Sequence, residues 1–236
     1  MIITVASNKG GVGKTSLAIE LAYSLGGVLV DFDWDYGSAT RACGVDPAAR
    51  RRSSLVDALV EEGRVPSTLR LPGRPELVPA HPLSVEIDAV DASVAEKLRF
   101  WADAWARDVV VDTHPGAASL TYAAMAAADL VVVPVVLAAR ELDALEGLLE
   151  EAAEFRILLV PNRVGRWPDP VAINRLEQLA VAHGVPVAAP ISDHRWWPRR
   201  RRRTAVGAAV SAGRAVASAQ AELRKLTDVV RKEVAA

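Results

Sequence analysis

The sequence predicts a doubly wound α/β fold, with a mostly parallel sheet flanked by helices. Three observations carry that expectation. Short runs rich in Val, Ile and Leu recur along the chain without alternation, the pattern of parallel strands buried on both faces. Stretches of helical periodicity separate them. A glycine-rich loop stands between the first apolar run and the first helical stretch, where such folds place phosphate-binding loops.

The strand candidates are Ile2–Ala6, Val28–Asp33, Val109–Asp112, Leu130–Val135 and Ile157–Val160, with Leu77–Pro79 and Val185–Ala188 as weaker ones. Helical patterns occupy Thr15–Leu25, Ser54–Glu62, Ser84–Trp105, Ser119–Ala127, Glu141–Ala153, Pro170–His183 and Thr204–Val234. Val94, Leu98, Trp101 and Trp105 step by four, three and four, so both tryptophans are expected on a core-facing stripe. Pro and Gly punctuate residues 63–82 as a loop-rich surface section. With no repeat or low-complexity linker, residues 1–236 are expected to form one domain.

Composition narrows the function classes. No apolar stretch approaches the length of a bilayer span. Met1 leads straight into the first strand run, so no leader segment is expected. The lone Cys43 excludes an internal disulfide or a cysteine cluster, in keeping with a reducing cytoplasm. Net charge is −1, yet residues 195–236 carry nine Arg and two Lys against three acids, which is +8, and residues 1–194 carry −9. Such bipolarity suggests one surface built to meet a polyanion.

Lys9-Gly10-Gly11-Val12-Gly13-Lys14-Thr15-Ser16 is the phosphate loop. Its glycines let backbone N–H groups converge on phosphate oxygens, and the following helix aims its positive end at the same anion. Lys14 is placed to reach the β/γ oxygens, and the Thr15 hydroxyl to ligate Mg²⁺. Asp31 and Asp33 end one strand run, and Asp112 ends another. Asn162 follows a third in Val160-Pro161-Asn162-Arg163. No Asn-Lys-x-Asp guanine reader follows a strand, which favours ATP over GTP.

The extra lysine at position 9 makes the loop resemble the deviant Walker A box of the ParA/MinD superfamily. That resemblance implies a P-loop ATPase with ATP and Mg²⁺ as cofactors. It implies that Lys9 reaches across a homodimer interface to the partner's nucleotide. Asp33 then positions the attacking water, while Asp31 and Asp112 help hold the magnesium shell. Asn162 resembles an Asn-Arg element near the adenine. Two boxes depart from the family pattern, since Trp34-Asp35 stands where Pro-Gln is usual and His114 replaces a proline after Asp112. His114 is read as an incidental loop residue.

Arg195, Arg199, Arg200, Arg201, Arg202 and Arg203 fall within nine residues, interrupted by Trp196 and Trp197. Arginine forks and indole planes suit a phosphate backbone, so nonspecific double-stranded DNA is the expected ligand. The resemblance is to the smaller ParA type, without an N-terminal helix-turn-helix. It implies nucleoid association, DNA binding by the ATP dimer, and a ParB-like centromere-binding partner that stimulates hydrolysis. The alternatives are a MinD-like positioning ATPase held on membrane by its C-terminal helix, and an ATP-dependent metabolic enzyme of the same fold. The tail carries Leu223, Leu226, Val230 and Val234 on one face but no Phe, Trp or Met, so packing on the sheet is the expected role of that face.

Overall fold

The architecture was analysed in a computed structural model. It describes all residues except 36–37, 88–90, 117, 198, 200–202 and 211–212, and leaves the side chains of 91–92 aside. The chain runs β1 (Ile2–Val5), α1 (Lys14–Leu25), β2 (Val28–Asp31), α2 (Ala39–Ala42), α3 (Pro47–Arg50), α4 (Leu55–Val60) and β3 (Glu76–Val78). It continues α5 (Asp91–Trp105), β4 (Val109–Asp112), α6 (Ser119–Ala127), β5 (Leu130–Val135), α7 (Ala139–Glu151), β6 (Ile157–Pro161), α8 (Pro170–His183) and α9 (Arg214–Ala235). The strands form one all-parallel six-stranded sheet in the order β3-β2-β4-β1-β5-β6.

Alternation along each strand sorts the core into two faces. Ile3, Val5, Leu29, Leu77, Val110, Val132 and Leu158 pack beneath α1 and α9. Ile2, Val28, Val30, Val109 and Val111 face α4, α5 and α6. On that same side Val131, Val133, Ile157 and Leu159 meet the leucines of α7 and α8. Burial on both faces is why these strands read as unbroken apolar runs.

Local signals explain where the reading matched. For α8, Asp169 caps the first turn by accepting from Val171 N, Pro170 takes the first helical position, and Gly184 at φ +63° ends it. Three expectations change. The Ser84–Trp105 pattern resolves into a 3₁₀ turn at Pro82–Glu86 and α5 from Asp91. The Thr204–Val234 pattern becomes a 3₁₀ turn at Val206–Ala208 followed by α9 from Arg214, where Gly213 breaks continuity. Val185–Ala188 makes only an isolated parallel bridge, Leu159 to Val187, because Pro186 lacks the N–H a ladder requires.

Trp101 is fully buried and its Nε1 donates to Arg64 O at 2.9 Å, with Trp105 partly buried beside it. Both lie on the core-facing stripe that the spacing predicts. In α9, Leu223, Leu226 and Val230 are buried in the core that includes α1 and the sheet. Each such leucine contributes about 1.5–3 kcal/mol relative to exposure, so the apolar face is committed to folding. No helix of the described residues is long and apolar enough to cross a membrane.

Cys43 is buried in the same core, and burial pushes its thiol up to about 12, against the opposing pull of Arg74. Its thiolate is accordingly scarce near neutral pH. Ellman's reagent at about pH 8 should leave the native thiol unreacted and titrate one thiol after guanidinium unfolding. Rapid reaction of native protein would refute the burial.

Candidate nucleotide site

The strand order places the two carboxylate-bearing strand ends, those of β2 and β4, against the glycine loop. β4 lies between β1 and β2, and the parallel register pairs Asp112 with both Val5 and Asp31. A pocket of about 400 Å³ opens beyond these carboxyl ends, lined by Gly11, Gly13, Lys14, Thr15, Ser16 and Asp33 among others. Open parallel sheets bind ligands at this location.

The loop is braced from β6. Asn162 Nδ2 donates to Val12 O at 2.7 Å, and Arg163 Nη1 donates to Gly11 O at 3.0 Å. Gly13 adopts φ +103°, and a Cβ there would strike the Asn162 amide. Glycine is therefore required at that position for both backbone conformation and space. Asn162 lines the pocket, but its buried amide donor is engaged on the loop backbone. Through this bond the residue braces the phosphate loop.

Lys14 is buried, with Nζ donating to Lys9 O at 3.0 Å. Burial lowers its pKa, and the carboxylates of Asp112 and Asp33 oppose that shift. Lys9, by contrast, is exposed. Thr15 and Ser16 lie in the first turn of α1, on the pocket wall.

The carboxylates divide into different roles. Asp112 is wholly buried, and neither oxygen meets a hydrogen-bond partner of good geometry among the described residues. Burial raises its pKa well above the usual range, the nearby Asp31 and Asp33 raise it further, and Thr15 and Lys14 favour the charged form. Asp33 lines the pocket and is raised by burial, while the Asp35 amide, His114 and Lys14 hold it down. Asp31 is also wholly buried. Its Oδ1 accepts from Asp33 N at 3.0 Å, and its Oδ2 accepts from Thr40 N at 2.6 Å and from the Thr40 hydroxyl. Burial carries Asp31 up to about 7 despite these bonds.

Asp31 therefore anchors the turn that presents Asp33. Strand pairing stops at Asp31, so Asp33 is aimed by this turn rather than by strand alternation. The orphaned oxygens of Asp112 beside Thr15 fit a divalent cation. Magnesium is commonly held by one or two carboxylates together with phosphates and water, and no larger cluster of potential ligands occurs among the described residues.

Two further features escaped the sequence reading. Trp34 and His114 stack with centroids 4.2 Å apart and planes 6° off parallel, joining the loops after Asp33 and Asp112. Both departures from the family boxes thus meet in one contact. The second feature is the basic segment, which forms part of the pocket wall. Ser192 and His194 are held by Glu222 of α9, at 3.0 Å from Ser192 N and 2.9 Å from His194 Nε2. Trp197 is buried in the core and stacks on the half-buried Trp196, so these indoles serve packing, not an open stacking platform. Arg195 is 86% exposed and Arg199 is exposed, but Arg203 turns into the pocket and donates to Ser16 Oγ at 2.7 Å. Arg203 is thus half-buried at the pocket, apart from the exposed Arg195 and Arg199, and Arg200, Arg201 and Arg202 lie outside the described residues.

A family profile described as an AAA domain matches residues 1–160. The chain is 38% identical over 168 residues to the chromosome-partitioning ATPase Soj of Thermus thermophilus, covering 68% of this chain. The chain belongs to the ParA/MinD family of P-loop ATPases. It is also 34% identical over 160 residues to the chromosome partitioning protein ParA of Myxococcus xanthus, covering 62% of this chain. These alignments span 64% and 55% of the two relatives, less than two thirds of their length. Among solved structures, the ATP complex of a McdA variant from Cyanothece superposes with a TM-score of 0.73 at 19% identity, covering 99% of this chain and 96% of that one. That likeness establishes the shared ParA/MinD fold.

Proposed function

We propose that this chain is an ATP-driven partition switch of the ParA type. The observation that carries the reading is the pairing of two lysines on one phosphate loop: Lys14 buried in the pocket wall and Lys9 exposed. A buried cation serves the phosphates of its own site. An exposed one beside a complete loop is left available to a second subunit, in the role that the resemblance to the family implies and with the logic of an arginine finger supplied in trans.

In this reading the loop amides and Lys14 grip the β/γ phosphates, and Asp33 orients the attacking water. Thr15 and Asp112 hold Mg²⁺, which when bound offsets charge developing on the phosphate oxygens. Asp31 and the Trp34–His114 stack keep the Asp33 turn in place. ATP closes a homodimer, the dimer binds nonspecific DNA on the nucleoid through the exposed arginines, and a ParB-like centromere-binding protein stimulates hydrolysis. The partition relatives support this biological setting. Burial of the α9 apolar face favours it over membrane attachment.

Two variants separate the steps. Lys9→Ala should bind nucleotide as a monomer but lose ATP-dependent dimerisation and stimulated hydrolysis. Asp33→Ala should dimerise with ATP and turn it over about 100-fold more slowly, within the range typical of a lost general base or water-positioning group. Light scattering with ATP and phosphate release read both. An unchanged dimer fraction in Lys9→Ala would remove the trans role, and wild-type turnover in Asp33→Ala would remove that residue from the chemistry.

A further inference from the structure

Arg203 differs from Arg195 and Arg199, the other described arginines of its run. Its main chain is clamped on both sides, with N donating to Ala42 O at 2.8 Å and O accepting from Arg74 Nε at 3.1 Å. Two residues on, Ala205 N donates to Gly73 O at 2.8 Å. Glu20 then binds the following turn, accepting from Val206 N at 2.7 and 2.8 Å and from Gly207 N at 3.4 Å. These contacts from α1, α2 and the 71–74 loop leave the side chain aimed at the pocket, where it meets Ser16.

The guanidinium is electrostatically unfinished. Burial lowers its pKa, and the more distant charge of Asp112 opposes that shift without a hydrogen bond between the two groups. Its side-chain partner among the described residues is a neutral hydroxyl. A half-buried cation gains from an anion brought beside it, and five donors on a rigid fork match phosphate oxygens well. The phosphates of a nucleotide would bring the missing negative charge to this wall.

We propose that Arg203 is a phosphate-contacting residue of the nucleotide pocket, acting beside Lys14, and is not part of the DNA surface. The proposal rests on the nucleotide reading of that pocket. Because Arg203 closes the arginine run, it also makes the run's last residue part of the site that ATP fills.

The test compares Arg203→Gln, which keeps a donor for Ser16 but no charge, with Arg203→Lys, which keeps the charge. Fluorescence anisotropy with labelled ADP and ATP should show the Gln variant weakened about 10-fold or more, as expected for a lost hydrogen bond to a charged group. The Lys variant should recover part of that loss, and Arg199→Ala should bind as the wild type does. Wild-type affinity in the Gln variant, or equal losses in Gln and Lys variants, would overturn the proposal. Lys14→Ala serves as the control on the pocket itself. If it also binds normally, the nucleotide reading falls; if it fails to bind while Arg203→Gln binds normally, only the present proposal falls. A measurement on unaltered protein guards against misfolded variants: saturating ATP should protect Arg203, but not Arg199, from phenylglyoxal, read by peptide mass spectrometry. An Arg203 that remains unprotected by ATP would reject the contact.

Discussion

Lys14→Ala should abolish measurable nucleotide binding, with a loss of at least about 100-fold. The lysine is buried in the pocket wall, and its ammonium is already positioned by Lys9 O. Charge-assisted hydrogen bonds to phosphate are among the stronger polar contacts, worth about 1.5–3 kcal/mol each. Lys14 can donate more than one. The substitution also strips the cation from between Asp112 and Asp33, whose negative charges would then repel the incoming phosphates. Lys14 opens α1, and alanine is a good helix former there, so the fold itself should survive. The variant should therefore fold yet fail to bind. Anisotropy with labelled ATP and a thermal melt decide it together: a folded variant with affinity within about threefold of wild type would remove Lys14 from the site.

The second large effect concerns DNA. Arg195 and Arg199 are exposed, and Arg200, Arg201 and Arg202 complete a run with more positive charge than packing requires. A polyanion relieves that repulsion and releases condensed counterions. If an ATP dimer joins two such runs and neutralises about 6–10 phosphates, affinity should fall roughly 10³–10⁵-fold between about 50 and 200 mM salt. The fall should be alike on any duplex, because backbone contacts carry no base information. Alanine at 195 and 199–202, with Arg203 retained, should flatten the slope while nucleotide binding survives. A substituted protein that binds DNA as tightly, with the same slope, would move the DNA surface elsewhere.

How much of the site was legible depended on how local its geometry is. The phosphate loop needs only one strand, one turn and one helix start, all within residues 2–25, and its residues stand where their order placed them. Asp112 was equally legible, since a carboxylate at the end of a fully buried strand emerges at the sheet's carboxyl edge. Asp31 and Asp33 were found together but their roles were not separable. One accepts from Thr40, nine residues on, and the other does not. Trp34 and His114 each looked like a departure from a family box, and only their joint occurrence could have hinted at a contact.

Sequence alone determined the fold class, the position of the phosphate loop and the buried stripes of α5 and α9, because these follow from residue order and period within single elements. Tertiary structure decided the rest. Asn162 meets Val12 across 150 residues, and Arg203 meets Ser16 across 187. An arginine in a run of arginines reads the same whether its main chain is clamped toward a pocket or left at the surface. Likewise the Trp196–Trp197 pair reads as a stacking platform until the core beneath α9 closes on it. Amphipathic side chains such as Arg and Trp suit either environment. The environment is set by packing between distant segments, which no short window of sequence contains.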